Sequence, residues 1–545
     1  MLTRFTFAQT NCTRIFHSAV INNDTLFIGG GDMHTLWPND TITPNSIHDL
    51  ETIDLSKSWS NSDSDLYSYI KMPDNASHPA DYPPSLDEGV VWSDGHNLYF
   101  YGGYNSLFHG PPVPPLATWR YDIAANNWTS KGFSGAPLVR LCQGGAVQSS
   151  VDKVAYYLSG SLNPGGNPTF FNTPGADVYM DSGLISLHMS TLTWSNASTA
   201  DMNTWGTIGD GYVGLIESVG DQGLLVAFGG YTYPVGQKLS YLAYSQKNVS
   251  HQNSMEMVRV YDIAKQAWYT QQTSGDIPRW RMSGCTVVAA APDLSSYSIY
   301  IFGGMAPTTD ESDGNVYVLS VPSFRWIRVS DGNTIRIKHK CLLARKKTMI
   351  VVGGITPITN REYDPLKQNC DSSTFANGVG IFDLRSLSWN TDYNASDTGE
   401  YTIPSKISDV IGGSETGEAT MTEPEGGFNN TALKELFGKR TIRPTSSVAA
   451  HPTTSPTSGP SPAPTEATGH SLSSDSIAGV TIGSIVAAVM ICALVFIIMQ
   501  RRRRANPQKR SIIPWQEYEI QSYELAEGPS KELQGASPQI HELGV

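Results

Sequence analysis

The residue types that do chemistry are thinly spread in this chain. Twelve histidines occur, among them His17, His34, His48, His78, His109, His188, His251 and His339. No two form a close ligand pair on one expected strand. A redox metal held by imidazole and phenolate ligands needs such convergence. A copper radical site also needs a tyrosine cross-linked to a cysteine, and no Cys sits in a loop with an evident Tyr partner and two converging His. His17 and His339 fall on short strand-like runs and are read as packing or pore residues. The six cysteines are Cys12, Cys142, Cys285, Cys341, Cys370 and Cys492. They form no CxxC pair, which excludes a zinc ribbon or a thioredoxin-like motif. Neither GxSxG nor GxxxxGK[ST] occurs, so a nucleophile elbow and a phosphate loop are both missing. The acidic run DESDG at 310–314 lacks the spaced ligand set of a calcium loop and reads as a solvated turn. The expectation is therefore no catalytic residue, no metal and no cofactor.

What remains is a set of aromatic residues in loops that follow Gly-Gly pairs. They are Trp37, Tyr104, Phe108, Phe170, Phe171, Tyr231, Tyr233 and Tyr363. Large amphipathic rings on loops suit contact with a protein or a glycan. Taken one at a time, each ring serves equally well to pack its own loop. The net charge of −13 argues against a nucleic-acid partner, because phosphate binding needs a basic surface.

The elements that must position these loops repeat. An apolar run ending in glycine recurs as LFIGGG (26–31), LYFYGG (98–103), LLVAFGG (224–230), IYIFGG (299–304) and MIVVGG (349–354), with a degenerate AYYLSG at 155–160. Each is followed by a second strand-like segment with a tryptophan near its end: Trp59, Trp128, Trp194, Trp268, Trp326 and Trp389. β-Branched and aromatic runs bounded by glycine read as strands. The YD-x5-W stretches read as strand, tight turn and strand. A small-residue strand precedes the Gly-Gly strand in HSAV (17–20), EGVV (88–91), GGAV (144–147) and GCTVV (284–288). One such unit cannot bury both of its faces alone, but radial stacking of several does.

This order of Gly-Gly, Tyr and Trp over residues 12–390 resembles the kelch repeat. The layout is similar to fungal kelch-repeat membrane proteins of the galactose-oxidase-like class, through IPRWRMSGCTVVAAAP (277–292), KHKCLLARKKTMIVVGG (338–354) and YTIPSKISDVIGG (401–413). The resemblance implies an all-β propeller over 12–437, with six blades. Residues 393–437 are read as a closing segment that runs back along the propeller, or as a degenerate seventh blade. It places Cys341 on the inner strand of the last blade and Cys370 in that blade's long loop, so a Cys341–Cys370 disulfide is expected to staple the loop. It also implies that the Gly-Gly loops share one face, a common partner site in such propellers. A galactose-oxidase-like copper radical oxidase and a purely structural wall component are the alternatives to a binding module.

Beyond the propeller, 441–476 is a Ser/Thr/Pro-rich stretch that cannot bury a core and reads as an O-glycosylated stalk. Ile477 to Met499 is a run of 23 residues without a charge, which as a helix spans roughly 34 Å, enough for a bilayer core. Arg501 to Arg504 follow it and put the 500–545 tail in the cytoplasm. Sequons start at Asn11, Asn23, Asn39, Asn75, Asn127, Asn196, Asn248, Asn394 and Asn429, all before that run. The expectation is a single-pass protein of the plasma membrane or another secretory-pathway membrane, N-terminus outside. The opening MLTRFTFAQTNCT has no apolar leader segment, so a leader encoded upstream is expected. Lys439-Arg440 is a dibasic pair read as solvated charges, with cleavage by a processing protease as the alternative.

Overall fold

The computed structural model describes residues 10–37, 42–73, 82–105, 115–135, 139–167, 177–239, 251–306, 314–332, 334–356, 370–371 and 373–439. Six antiparallel four-strand meanders follow one another along the chain. The first comprises Ser18–Asn22, Thr25–Gly29, Leu50–Asp54 and Ser68–Ile70. The second opens on Asp87–Ser93, the third on Gly145–Ser149, the fourth on Tyr212–Ile216, the fifth on Cys285–Ala290 and the sixth on Ile337–Ala344. These opening strands neighbour one another in order, and the last returns to the first. That closed ring of innermost strands around an axis is a β-propeller. The described residues belong to one compact unit, Met1–Ala450.

The sequence dictates the blade in three places. Small residues recur on the innermost strands of the first, second, third and fifth blades, where six strands crowd one axis. The second strand of each blade is apolar on both sides, as in Tyr297–Phe302, where every residue is buried, because it is covered by a blade on either flank. From the second blade on, the third and fourth strands form tight hairpins, and the tryptophan on the fourth sits opposite an apolar residue on the third, as in Tyr121 opposite Trp128, Tyr261 opposite Trp268, Leu319 opposite Trp326 and Phe382 opposite Trp389; in the first blade Trp59 lies on a separate short strand, Trp59–Ser60. Trp326 then reaches the preceding blade, with its ring 5.3 Å from Phe228 in an edge-on contact. Trp389 does the same 4.8 Å from Phe302. Edge-to-face pairs of this kind add to the burial energy of the rings.

The Gly-Gly pair joins blade to blade. Gly353 has φ +61, and a Cβ there would lie 2.8 Å from the Arg14 carbonyl, on the chain entering the first blade. Only glycine fits that approach with that backbone. The same corner meets the entrance of the next blade at Gly30, Gly102, Gly229 and Gly303. The degenerate copy differs in an instructive way. Ser159 stands at the corner with φ 53, and its hydroxyl accepts from Ile208 N at 2.9 Å and donates to Asp181 O at 2.6 Å. A side chain thus makes the join there.

Closure of the ring brings strands from both ends of the chain into the sheet of the sixth blade. Thr10–Ile15 adds to the second strand of the sixth blade through Arg14 and Gly354. Asp392–Tyr393 pairs with Trp59–Ser60 of the first blade, and the Trp59 and Tyr393 rings stack at 5.0 Å. A disulfide joins Cys12 to Cys370 across 358 residues of sequence. This corrects the expected Cys341–Cys370 bridge: Cys341 pairs instead with Cys285, whose Cα is 5.4 Å away on the neighbouring innermost strand. The chain threads past the N-terminal strand before it re-enters the sixth blade, so Cys370 meets Cys12. Cys142 is free and buried.

Residues 393–439 form no seventh sheet. They run back beneath the ring as a strap with two short helices, Ser405–Ile411 and Thr431–Gly438. Tyr401, Ile403, Ile407 and Ile411 pack against the fifth and sixth blades, and Leu433, Leu436 and Phe437 against the fourth and fifth. Glu418 N donates to Asp293 and Ala419 N to Ser295, both in a turn on the side opposite the Gly-Gly corners. Among the described residues no helix is long and apolar enough to cross a membrane. Ile477–Met499, the stalk, the tail and Lys439-Arg440 as a pair lie outside the described residues.

Candidate functional site at the axial mouth

On the Gly-Gly face, the chain enters each innermost strand through one residue with a left-handed backbone. These are Phe16, Glu88, Gln143, Asp210, Ser283 and Lys338, with φ between 51 and 62. None is glycine; the same conformation recurs at hairpin turns such as Asn126, Gln266 and Leu387, so what sets these six apart is their place around one axis. Backbone hydrogen bonds link them around the axis. Glu88 N donates to Phe16 O at 2.6 Å, Asp210 N to Gln143 O at 2.7 Å, Ser283 N to Asp210 O at 2.8 Å and Lys338 N to Ser283 O at 2.9 Å. The six side chains rim the mouth of the axial cavity, which has a volume of about 540 Å³.

The charges fall on alternate blades. Lys338 of the sixth blade donates to Glu88 Oε1 of the second at 2.6 Å and to Asp210 of the fourth at 2.9 and 3.0 Å. The ammonium therefore spans the mouth and bolts it. Burial opposes the charge on Lys338, but Asp210 and Glu88 together hold the ammonium well above its ordinary range. Burial pushes the Glu88 carboxyl up, against the pull of Lys338. Around this bolt, Phe16 lies 5.8 Å from the Lys338 ammonium and Gln143 accepts from Ser161 and Tyr231.

Behind the ring, buried arginines brace the corners. Arg336 donates to the carbonyls of Gly353 and Gly354 and to Asp371, with its guanidinium 4.2 Å over the Phe375 ring. Arg140 donates to Gly166 O at 3.2 Å and Arg281 to Gly303 O at 3.5 Å. Arg14 pairs with Glu51. Burial pushes Asp371 up to about 6 despite Arg336. His17 and His339 are buried beside these corners. Burial holds His17 well below its ordinary value and lowers His339 to about 3, so both are neutral imidazoles.

The aromatic candidates divide. Trp37 is 39% exposed and donates from Nε1 to Thr43 Oγ1 at 2.7 Å, across the hairpin Asp32–Leu36 and Ile42–Ser46. Tyr104 is half-buried, with its ring 6.5 Å from Phe16 of the mouth. Tyr231 and Tyr233 are buried. The Tyr231 hydroxyl donates to Gln143 at 2.8 Å, and the Tyr233 ring stacks on His251 at 4.0 Å, which stacks in turn on Trp205 at 4.8 Å. These two rings pack the loops and hold the mouth rather than face a partner. Phe108, Phe170, Phe171 and Tyr363 lie outside the described residues. Of the sequon residues, Asn11, Asn23, Asn127, Asn196, Asn394 and Asn429 are exposed, and Asn39, Asn75 and Asn248 are outside the described set.

The mouth carries no motif. Its six residues share a backbone conformation and no chemistry, so no composition signal marks them. An arginine two residues upstream was the available sign: Arg14 before Phe16, Arg281 before Ser283, Arg336 before Lys338. Among the described residues, one group of three potential metal ligands gathers: Cys285, His339 and Cys341. Its two sulfurs are joined to each other, which leaves His339 as the remaining donor.

No family model matches the chain. It is 28% identical over 463 residues to a protein described as "Kelch repeat-containing protein" from Arthroderma benhamiae, covering 76% of this chain and 65% of that relative. The chain thus spans just under two thirds of that relative's length. Among solved structures, one titled "Structure of YjhT" matches with a TM-score of 0.46 at 13% identity, over 70% of this chain and 99% of the other. The closed ring of blades and the kelch-repeat relative support a kelch-type β-propeller.

Proposed function

We propose that this chain is a cell-surface binding module whose Gly-Gly face takes a partner at the axial mouth. The observation that carries the reading is the bolt of Lys338, Glu88 and Asp210 set on six left-handed backbone positions around the axis. Strained backbone and desolvated charge persist where function selects them. The opposite side of the fourth to sixth blades is covered by the 393–439 strap, which among the described residues does not reach the mouth. A rim of ammonium, two carboxylates, an amide, a hydroxyl and one phenyl ring supplies mixed donors and acceptors beside an apolar plate. That set suits a polyhydroxylated cell-wall glycan first and a polar protein loop second. In this reading the stalk 441–476 displays the propeller, Ile477–Met499 anchors it, and the 500–545 tail lies in the cytoplasm.

The test is retention of the full chain on immobilised β-glucan, mannan and chitin fragments. Wild type is expected to bind one of them, and Lys338→Met to lose at least about tenfold in affinity, the order of one charge-assisted contact. Retention that is indifferent to Lys338→Met would overturn the assignment of the mouth.

A further inference from the structure

Below the bolt, the axial cavity holds a second lysine. Lys340 lies two residues along the sixth innermost strand from Lys338 and lines the same cavity. It joins none of the apolar clusters between the blades. Among the described residues, no hydrogen bond or ion pair engages its ammonium. Its charged neighbours are Glu88, Lys338 and Asp210, and Lys338 already occupies Glu88 Oε1 and both oxygens of Asp210. The other Glu88 oxygen, Oε2, is buried without a partner. The cavity therefore holds one uncommitted amine and one uncommitted carboxyl oxygen. At its other end, exposed Ser150 and Ala290 mark where the innermost strands reach solvent.

We propose that Lys340 is a nucleophilic amine that captures a small aldehyde or ketone as a Schiff base inside the axial cavity, with Glu88 as the proton donor. An amine lining a cavity beside a second cation is in a setting that activates lysine toward carbonyls. Burial lowers Lys340 against the pull of Glu88, and burial raises Glu88 against the pull of Lys338, the directions that an amine nucleophile and a proton donor need. The neutral amine adds to the carbonyl carbon, and a proton passes from nitrogen to oxygen to give a carbinolamine. Glu88 gives its proton to the leaving hydroxyl, water departs, and the nitrogen lone pair forms the iminium. Loss of the iminium proton to Glu88 restores the acid. One amine and one carbonyl thus give one imine and one water, with no oxidant or reductant.

The test uses the full chain with glycolaldehyde and cyanoborohydride near neutral pH, which fixes an imine as a secondary amine. Adducts are read per residue by tandem mass spectrometry. Lys340 is expected to label at least about tenfold faster than exposed Lys57 and Lys346, with Lys338 unlabelled. Denaturing the chain first is expected to erase the difference, and Lys340→Arg to abolish the fast adduct. Glu88→Gln is expected to slow it by about tenfold or more. Labelling of Lys340 no faster than Lys346 in the folded wild type overturns the proposal. So does protection of Lys340 by phosphate with no fast adduct, which would mark an anion site instead. The wild-type comparison needs no variant to fold, and it fails independently of glycan retention.

Discussion

At the residue scale the chain concentrates its unusual chemistry where the blades converge. Lys338 and Glu88 form a pair far apart in sequence and close at the axis, and neither belongs to a motif. The buried histidines beside them make a separate statement. His17 and His339 have folded pKa values below that of a free imidazole, because burial penalises the cation. The unfolded chain therefore takes up protons that the folded one refuses. Their contribution is fully present above about pH 6.5 and is lost as pH falls toward 3. Asp371 works the other way: its folded pKa is raised to about 6, so its contribution favours the folded state below about 4 and fades as pH rises to 6. Burial lowers His34 as well, to about 4, and raises the Glu88 carboxyl; with these three histidines against two carboxyls, the melting midpoint of the full chain is expected to fall from pH 6.5 to 4. His339→Asn is expected to flatten that fall. A midpoint that rises on acidification contradicts the account of the histidines.

At the element scale the blade explains both what the sequence disclosed and what it withheld. The Gly-Gly corners and the closing tryptophans were legible because each is forced by local sterics repeated in most blades. Gly353 must approach the Arg14 carbonyl, and Trp326 must fill the gap to Phe228. Trp326→Ala is expected to cost about 3–5 kcal/mol, read as a lower denaturation midpoint with an unchanged slope. A loss below 1 kcal/mol would mean the ring is not the inter-blade plug described. Pairings between distant segments were not legible. The partner of Cys370 is decided by the path of the N-terminal strand, and nothing near either cysteine encodes it. Cys12→Ser with Cys370→Ser removes the covalent closure between the ends of the ring. A long closed loop of this kind contributes about 2–5 kcal/mol. Chemical denaturation of the double variant is expected to show that loss, and an unchanged midpoint would show that strand addition and the strap close the ring unaided. The mouth was hidden for a third reason: its rule lies in φ, which six different side chains satisfy.

At the scale of the whole molecule, the two sides of the propeller differ. One is overlain at the fourth to sixth blades by the strap, with its two helices seated on inter-blade clusters. The other presents the mouth, with Trp37 exposed and Tyr104 against Phe16. The proposed surface display adds a testable consequence. Six described sequon asparagines are exposed, so the chain from a secretory host is expected to shift on N-glycosidase treatment and to be labelled by an impermeant reagent on intact cells. An unshifted, inaccessible N-terminal part would overturn that topology. The central claim is that the axial mouth on the Gly-Gly face is the recognition surface. Its most direct test compares retention of the full chain on cell-wall polysaccharide for Lys338→Met and for Glu435→Lys, a charge reversal on the strap. The first variant is expected to lose binding and the second to keep it; retention lost by Glu435→Lys and kept by Lys338→Met would place recognition on the other side and contradict the assignment of the mouth.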